Sequence, residues 1–506
     1  MSVINIIKLM MASTLTCMVY ACDFTEKNID PNSPTSIEPG PLLTYTQLHT
    51  TTGGIAKNIQ VGTCMMLVQQ AASLNNDMPG DKYYQMESYA NTFFTDTYSD
   101  LIKNWRELEE KASSDAKYSN ILGATKIWGA YLFQRLTDIY GNVPYSEAGL
   151  GYYQQIYKPK YDNQETIYKD MIQQVKDGVN LLNANNPAID GDLFYDGDIN
   201  KWKKFGGSLL LRIGMRLSEV APDLAKQTVA DAVTIGVMSQ PEDICLLRHD
   251  GSGKNAFKNP LSFRYLDDNF IESAVKIGKT FMDYLKKTKD PRIHVYCSLK
   301  DGNTEFDKQF GLPNGYDSHT IADAPSGSFV GLENTSNFNI NTILRLDAPT
   351  IFLMPSETKL LLAEAVLRNW TNGNAEVLYK EAITSSMKEQ EIAYGTQGKI
   401  TDEEIETYLA QNLFSTANNT EKLQIIGEQY WVATFINGYE SYANWRRTGY
   451  PKLIPTNYSG SMSPGVIPTR LPYPTDEYSI NRANVDTANQ QQGADKVTTH
   501  IWWDID

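Results

Sequence analysis

Apolar residues recur at every third or fourth position over most of this chain, and that period commits it to helices burying one stripe each. The pattern predicts helices over Leu42 to Leu74, Ser88 to Lys111, Tyr118 to Tyr140, Ile167 to Leu182, Asn200 to Val220 and Pro222 to Ile235. It resumes over Pro355 to Trp370, Ala375 to Lys388, Thr401 to Leu413 and Glu421 to Ile436. Gly141 can take a left-handed cap and Pro144 blocks continuation, so the third helix stops there. Asp162-Asn-Gln-Glu165 and Thr401…Glu404 have capping-box form. Ala363, Ala375, Tyr379 and Ala382 have the small, small, aromatic, small offsets of a tetratricopeptide repeat, where small residues let two helices approach and the aromatic fills the crossing. Between the helical blocks, about 245–350, the chain is rich in Gly, Asn, Pro, Asp and Ser, with short β-like runs at Ile293–Cys297 and Thr342–Leu346. The tail from Tyr450 reads as loop. The fold class is mainly α: tetratricopeptide-like helical pairs carrying a large loop-rich section with little β, as a single domain over 41–506.

The N-terminus reads MSVINIIKLMMASTLTCMVYAC. Lys8 precedes an apolar stretch too short for a permanent span, the shape of a secretory signal over 1–21. Val19-Tyr20-Ala21-Cys22 resembles a lipobox, which makes Cys22 the expected acylated residue; Cys17 follows Thr16 and fits less well. The polar, Pro-rich stretch that follows makes 22–40 a tether. The net charge of −15, without a Lys/Arg cluster, excludes binding to phosphate backbones. Cys64, Cys245 and Cys297 lie far apart and form no CxxC, so at most one internal disulfide is expected.

Catalytic motifs are absent. His49, His249, His294, His319 and His500 are isolated, and there is no HExxH or GxSxG. Gly251-Ser-Gly-Lys254 lacks the upstream glycine and the Ser/Thr of a phosphate loop. Asp190-Gly-Asp192…Asp196-Gly-Asp198-Ile-Asn200 has the alternating oxygens of a calcium loop, but Lys201 and Gly207 stand where its glycine and bidentate glutamate belong. The competing reading makes Asp198 or Asn200 a helix cap. Glu109-Glu110 and Glu403-Glu404 read as solvated charge rather than a glycosidase pair.

Several blocks together carry a resemblance. Gln134-Arg-Leu-Thr-Asp-Ile-Tyr-Gly-Asn-Val-Pro-Tyr-Ser-Glu-Ala148 closely resembles the signature of SusD/RagB-like nutrient-binding lipoproteins. Tyr195–Trp202 with Ser208–Leu217, Pro355–Ala365, Asn437–Pro451, Arg470–Pro474 and Ile501–Asp504 are similar to further blocks of that family, closest to its starch-binding, outer-membrane-associated subgroup. The resemblance implies a SusD-like α-α superhelix of four tetratricopeptide pairs supporting a loop-rich face. It also implies lipid anchoring on the extracellular face of the outer membrane and a SusC-like, TonB-dependent barrel as partner. Ligand is then held on aromatic platforms without a covalent step. Asp138 and Tyr140 are expected to pin the turn, Trp445 to pack, and Arg446 and Arg447 to seek carboxylates or carbonyls, so that these motifs hold the fold.

Aromatics in loop-like segments are the candidate ligand contacts: Tyr83 and Tyr84 after the turn Asn76–Asp81, Phe263, Tyr265 and Asp267 in the middle section, and Tyr316 after Pro313-Asn-Gly315. They leave glycan and peptide ligands open. A secreted hydrolase is the reading from a different class, against which the missing catalytic motifs stand.

Overall fold

The computed structural model describes residues 37–51, 55–254, 257–267, 275–414 and 418–505; the side chains of 55–57 and 264–267 fall outside that description. Cys22, Cys17 and the signal lie outside the described residues, and so does most of the tether, whose last two positions already belong to the first helix.

The helices follow in order: α1 (Pro39–His49), α2 (Glu87–Asp96), α3 (Lys103–Ser113), α4 (Ser119–Tyr140), α5 (Gln164–Leu181), α6 (Ile199–Arg216), α7 (Pro222–Ile235), α8 (Pro260–Asp267), α9 (Lys279–Lys287), α10 (Pro355–Leu367), α11 (Ala375–Tyr394), α12 (Asp402–Gln411), α13 (Asn419–Ala433), α14 (Gly438–Thr448) and α15 (Arg482–Gln492). π-Helical segments occupy Ile55–Met65 and Thr97–Ile102. Neighbours in sequence pack as pairs, α4 on α5, α6 on α7, α10 on α11 and α13 on α14, and α1 lies against α3. Glycines make the closest crossings. A Cβ at Gly123 of α4 or at Gly178 of α5 would come within 2.7 Å of the other's carbonyl oxygen. Ala363, Ala375, Tyr379 and Ala382 are all buried where α10 meets α11, and Tyr379 stacks on Phe414 with centroids 4.6 Å apart. The mainly α, paired-helix architecture read from the period is the one observed.

Some boundaries differ for identifiable reasons. The stretch Leu42–Leu74 is not one helix. It divides into α1, a π-helical segment and a strand, Ala71–Ser73, which pairs antiparallel with Val275–Ile277; a distant partner captured residues whose local period fits a helix equally well. The cap of α5 is Asn163, which accepts the Thr166 amide, rather than Asp162, which instead binds Ser146. Ile293–Tyr296 is a helical turn and 342–346 a turn; the strand of that region is Thr350–Leu353, paired with Cys245–Leu247. The tail holds α15, whose polar sequence gave no apolar period.

A set of buried ion pairs runs through the apolar core. Arg212 Nη2 bonds Glu357 Oε1 at 2.5 Å, Arg216 Nη2 bonds Glu440 Oε2 at 2.7 Å, and Arg447 grips both oxygens of Glu364 at 2.7 Å. Asp138 accepts from Trp503 Nε1 at 2.9 Å and from the Tyr168 hydroxyl. Arg446 donates to the Thr469 carbonyl at 2.8 Å. Burial pushes Glu357 up to about 8 against the pull of Arg212. Burial would likewise raise Glu440, but Arg216 and Arg212 together hold it below its ordinary value.

Asp192 is saturated by N–H donors: Gln47 Nε2, the amides of Phe194, Tyr195 and Gly197, and Trp202 Nε1. Five donors fill the roughly four lone-pair sites of a carboxylate. Asp198 caps α6 through the Asn200 and Lys201 amides. This acidic run therefore serves turn and cap. Cys64, Cys245 and Cys297 are buried free thiols, so no disulfide joins them. Among the described residues no helix is long and apolar enough to cross a membrane.

Candidate functional site

Three segments distant in sequence are stitched into one surface. The first is the turn 74–84, the second 312–317 and the third 454–462. Buried Asp81 is the knot. Its carboxylate pairs with Lys82 Nζ at 2.9 Å and accepts the Gly315 amide at 3.2 Å, and its carbonyl accepts the Thr456 hydroxyl at 2.7 Å. Lys82 also donates to the Ser73 carbonyl at 2.6 Å. Tyr83 O accepts the Met462 amide at 2.7 Å, Gln69 Nε2 donates to Ile454 O at 2.6 Å, and Asn314 Nδ2 donates to Ala71 O at 2.8 Å.

On this base stand half-exposed tyrosines. Tyr84 and Tyr458 meet edge to face, centroids 5.8 Å apart at 69°. Gly460, at φ +86, lets the chain pass close over Tyr84, where a Cβ would lie 3.3 Å from the ring. The Tyr458 hydroxyl donates to Asp317 Oδ2 at 2.7 Å. Burial alone would raise Asp317, but Tyr458, the Thr320 hydroxyl and amide, and the His319 amide all donate to it and hold it well below the usual carboxylate range. Asp317 is thus an ionised anchor that fixes the Tyr458 ring. Asn76 and Asp77 are exposed in the adjoining turn, and Asn76 Oδ1 lies 3.5 Å from the Tyr458 hydroxyl. An aromatic face fixed in place, with polar side chains at its edge, suits a flat ligand with C–H faces and hydroxyl rims.

The six candidates from sequence divide accordingly. Tyr84 lies in the cluster. Tyr316 lies beside it, half-buried on a small separate core of Ala72, Leu74 and Leu312. Tyr83 is a correction: it is 1% exposed, at φ +53, and its hydroxyl accepts the Thr456 amide at 3.2 Å, so it positions the loops. Phe263, Tyr265 and Asp267 are not in a loop. Asn259 caps α8 through the Leu261 and Ser262 amides, and Pro260 opens it. Phe263 is half-buried with Lys258 Nζ 5.8 Å from its ring centroid; the side chains of Tyr265 and Asp267 lie outside the described residues. Sequence reasoning missed Tyr458 and Asp317. The signal was available, since Pro455-Thr-Asn-Tyr-Ser-Gly460 sets a tyrosine among turn residues just as the 76–84 segment does.

Among the described residues no three His, Cys, Asp or Glu are grouped to hold a metal. Burial pushes the Cys64 thiol up to about 12 and the other two thiols up as well. Glu109 pairs with Arg106, and Glu404 closes the Thr401 capping box.

Comparison with known proteins matches these features. The family described as "Starch-binding associating with outer membrane", SusD-like, matches residues 31–474. A solved chitin-binding protein is 31% identical, with TM-score 0.81, covering 93% of this chain and 100% of its own. A Bacteroidetes SusD-like protein, AC2a, is 25% identical with TM-score 0.81, over 93% of this chain and 100% of its own. A chitin-binding SusD homolog from Flavobacterium johnsoniae, 23% identical over 92% of this chain and 98% of its own with TM-score 0.77, shares the fold. No curated protein matches the chain. With its helical pairs, its buried signature charges and a match over most of its length, the chain belongs to the SusD-like family of glycan-binding proteins that associate with the outer membrane.

Proposed function

We propose that this protein is a lipid-anchored surface receptor that binds a nutrient glycan without turning it over and delivers it to a SusC-like, TonB-dependent barrel. Acylated Cys22 holds it on the extracellular face of the outer membrane. One observation carries the ligand assignment: the Tyr84–Tyr458 pair, locked by Asp317 and flanked by exposed Asn76 and Asp77. The 31%-identical relative described as chitin-binding supports a polysaccharide as ligand.

A glycan array that includes chitin and starch oligosaccharides, run beside a peptide library, tests the reading. We expect saturable glycan binding. Tyr84→Ala and Tyr458→Ala should each weaken it about fivefold, the loss of about 1 kcal/mol of ring contact, with no change in melting. Binding confined to the peptide library would replace the ligand class, and release of cleaved glycan would reject the non-catalytic reading. Mild-detergent pull-down from outer membranes should recover a large β-barrel, and mass spectrometry should find acyl chains on Cys22.

A further inference from the structure

A cleft of about 260 Å³ opens between α3, α4 and α5, built from none of the three segments that form the tyrosine cluster. Gly129 and Ala130 of α4 form its floor, flanked by the rings of Trp105, Phe133 and Tyr145. These rings are fixed. Trp105 Nε1 donates to Thr125 O at 2.9 Å and stands edge-on to Phe133 at 84°, and the Tyr145 hydroxyl donates to Asp170 at 2.5 Å. A side chain at position 129 would strike the Trp105 ring, so glycine lets that ring lie directly against α4 along the cleft wall. The rim is polar, but its charges are largely answered within it. Arg106 pairs with Glu109, Lys126 donates to Gln174 Oε1 at 2.7 Å, and Asp162 accepts the Ser146 amide at 2.8 Å.

An apolar, ring-walled floor under a rim of donors and acceptors selects a neutral ring with C–H faces and hydroxyl edges. The volume lies just under the roughly 300 Å³ at which pockets for drug-sized ligands begin, so it fits one ring. The loop 149–157 is pinned to the same α3, because Gly149 packs on Arg106 and the Tyr153 hydroxyl donates to Glu107. That loop carries Tyr152 and Tyr157 into solvent at 87% and 78% exposure.

We propose that this cleft is a second glycan site, which takes one neutral sugar ring, with Tyr152 and Tyr157 as stacking platforms for the sugars that follow. The choice of ligand class rests on the glycan reading above. The test is calorimetric titration with N-acetylglucosamine, its β-1,4 tetramer and maltotetraose. Thr166→Phe, at an exposed position on the cleft's mouth, and Lys126→Ala perturb this site; Tyr84→Ala/Tyr458→Ala removes the other. The loop-face double variant should still bind at one site, and adding Thr166→Phe should weaken that binding about tenfold, with the melting temperature unchanged. If the loop-face variant binds nothing while the wild type binds, or if Thr166→Phe and Lys126→Ala leave affinity and stoichiometry as they were, the second site is overturned and the first stands. If the wild type binds none of the three sugars, both are overturned.

Discussion

Replacing Asp81 by alanine removes a carboxylate that is fully buried, as is its partner ammonium. Lys82 is then left in the interior with only the Ser73 and Met78 carbonyls, at 2.6 and 3.3 Å, and the Gly315 amide loses its acceptor. Breaking a buried pair from one side costs about 3–5 kcal/mol, because the remaining charge is uncompensated. That is a large part of the about 5–15 kcal/mol that holds a typical domain folded. The pair itself contributes less than its loss costs: burial outweighs Lys82 and keeps the Asp81 carboxyl above its ordinary value. Lys82→Met should therefore cost about as much as Asp81→Ala, and the double variant less than either alone, since the orphaned charge appears only in the singles. Urea titrations followed by circular dichroism at pH 7 measure all three. Because Asp81 ties 312–317 and 456 to the 74–84 turn, glycan affinity in the folded single variants should fall as well. A wild-type midpoint for Asp81→Ala, or a double variant that loses the sum of the two singles, would refute the reasoning.

Other consequences can be measured separately. Gly123→Ala puts a Cβ 2.7 Å from the Gly178 carbonyl and should lower stability by about 1–3 kcal/mol through overpacking, read as a lower thermal midpoint. Burial pushes Glu389 up to about 7, against hydrogen bonds from Ser356 and Ser385, from an ordinary 4.5. The folded state therefore holds that proton more tightly, and this stability, present in full below pH 4.5, is lost as pH rises to about 7. Glu389→Gln should gain on the wild type by about 3 kcal/mol between pH 4.5 and pH 8 in urea titrations; an equal difference at both pH values counts against it. Cys64, Cys245 and Cys297, buried with raised thiol pKa values, should resist iodoacetamide at pH 8 in the native protein and react in urea, as mass spectrometry will show.

The helical frame was legible because its period is local. Ser119–Tyr140 announces itself by apolar spacing and by Gly141, whose φ of +81 is the stop that the sequence calls for. The Thr401…Glu404 box is complete in the structure for the same reason. What could not be read depends on partners remote in sequence. Ala71–Ser73 is a strand only because Val275–Ile277 lies beside it. Tyr83 and Tyr84 are adjacent, yet one is buried beneath Thr456 and the other faces Tyr458, more than three hundred residues along. Loop composition marks where a surface can form but not which loops meet, so Tyr84 could be singled out and its neighbour Tyr458 could not.

The blocks that carry the family resemblance meet in the interior. Asp138 comes from the first, Arg212 and Arg216 from the second, Glu357 and Glu364 from the third, Glu440, Arg446 and Arg447 from the fourth, and Trp503 from the last. They join as Arg212–Glu357, Arg216–Glu440, Arg216–Asp138, Trp503–Asp138 and Arg447–Glu364. Each link is nearly solvent-free, so losing one partner strands a charge at about 3–5 kcal/mol. Arg447→Lys would be costly too, because a single ammonium cannot replace the two parallel bonds to Glu364. A change at half-exposed Tyr84 or Tyr316 strands nothing, and surface substitutions of that kind usually stay within about 0.5 kcal/mol. Folding therefore depends on the signature residues and hardly on the proposed ligand face, and it follows that the same sequence declares its family readily and its ligand hardly at all.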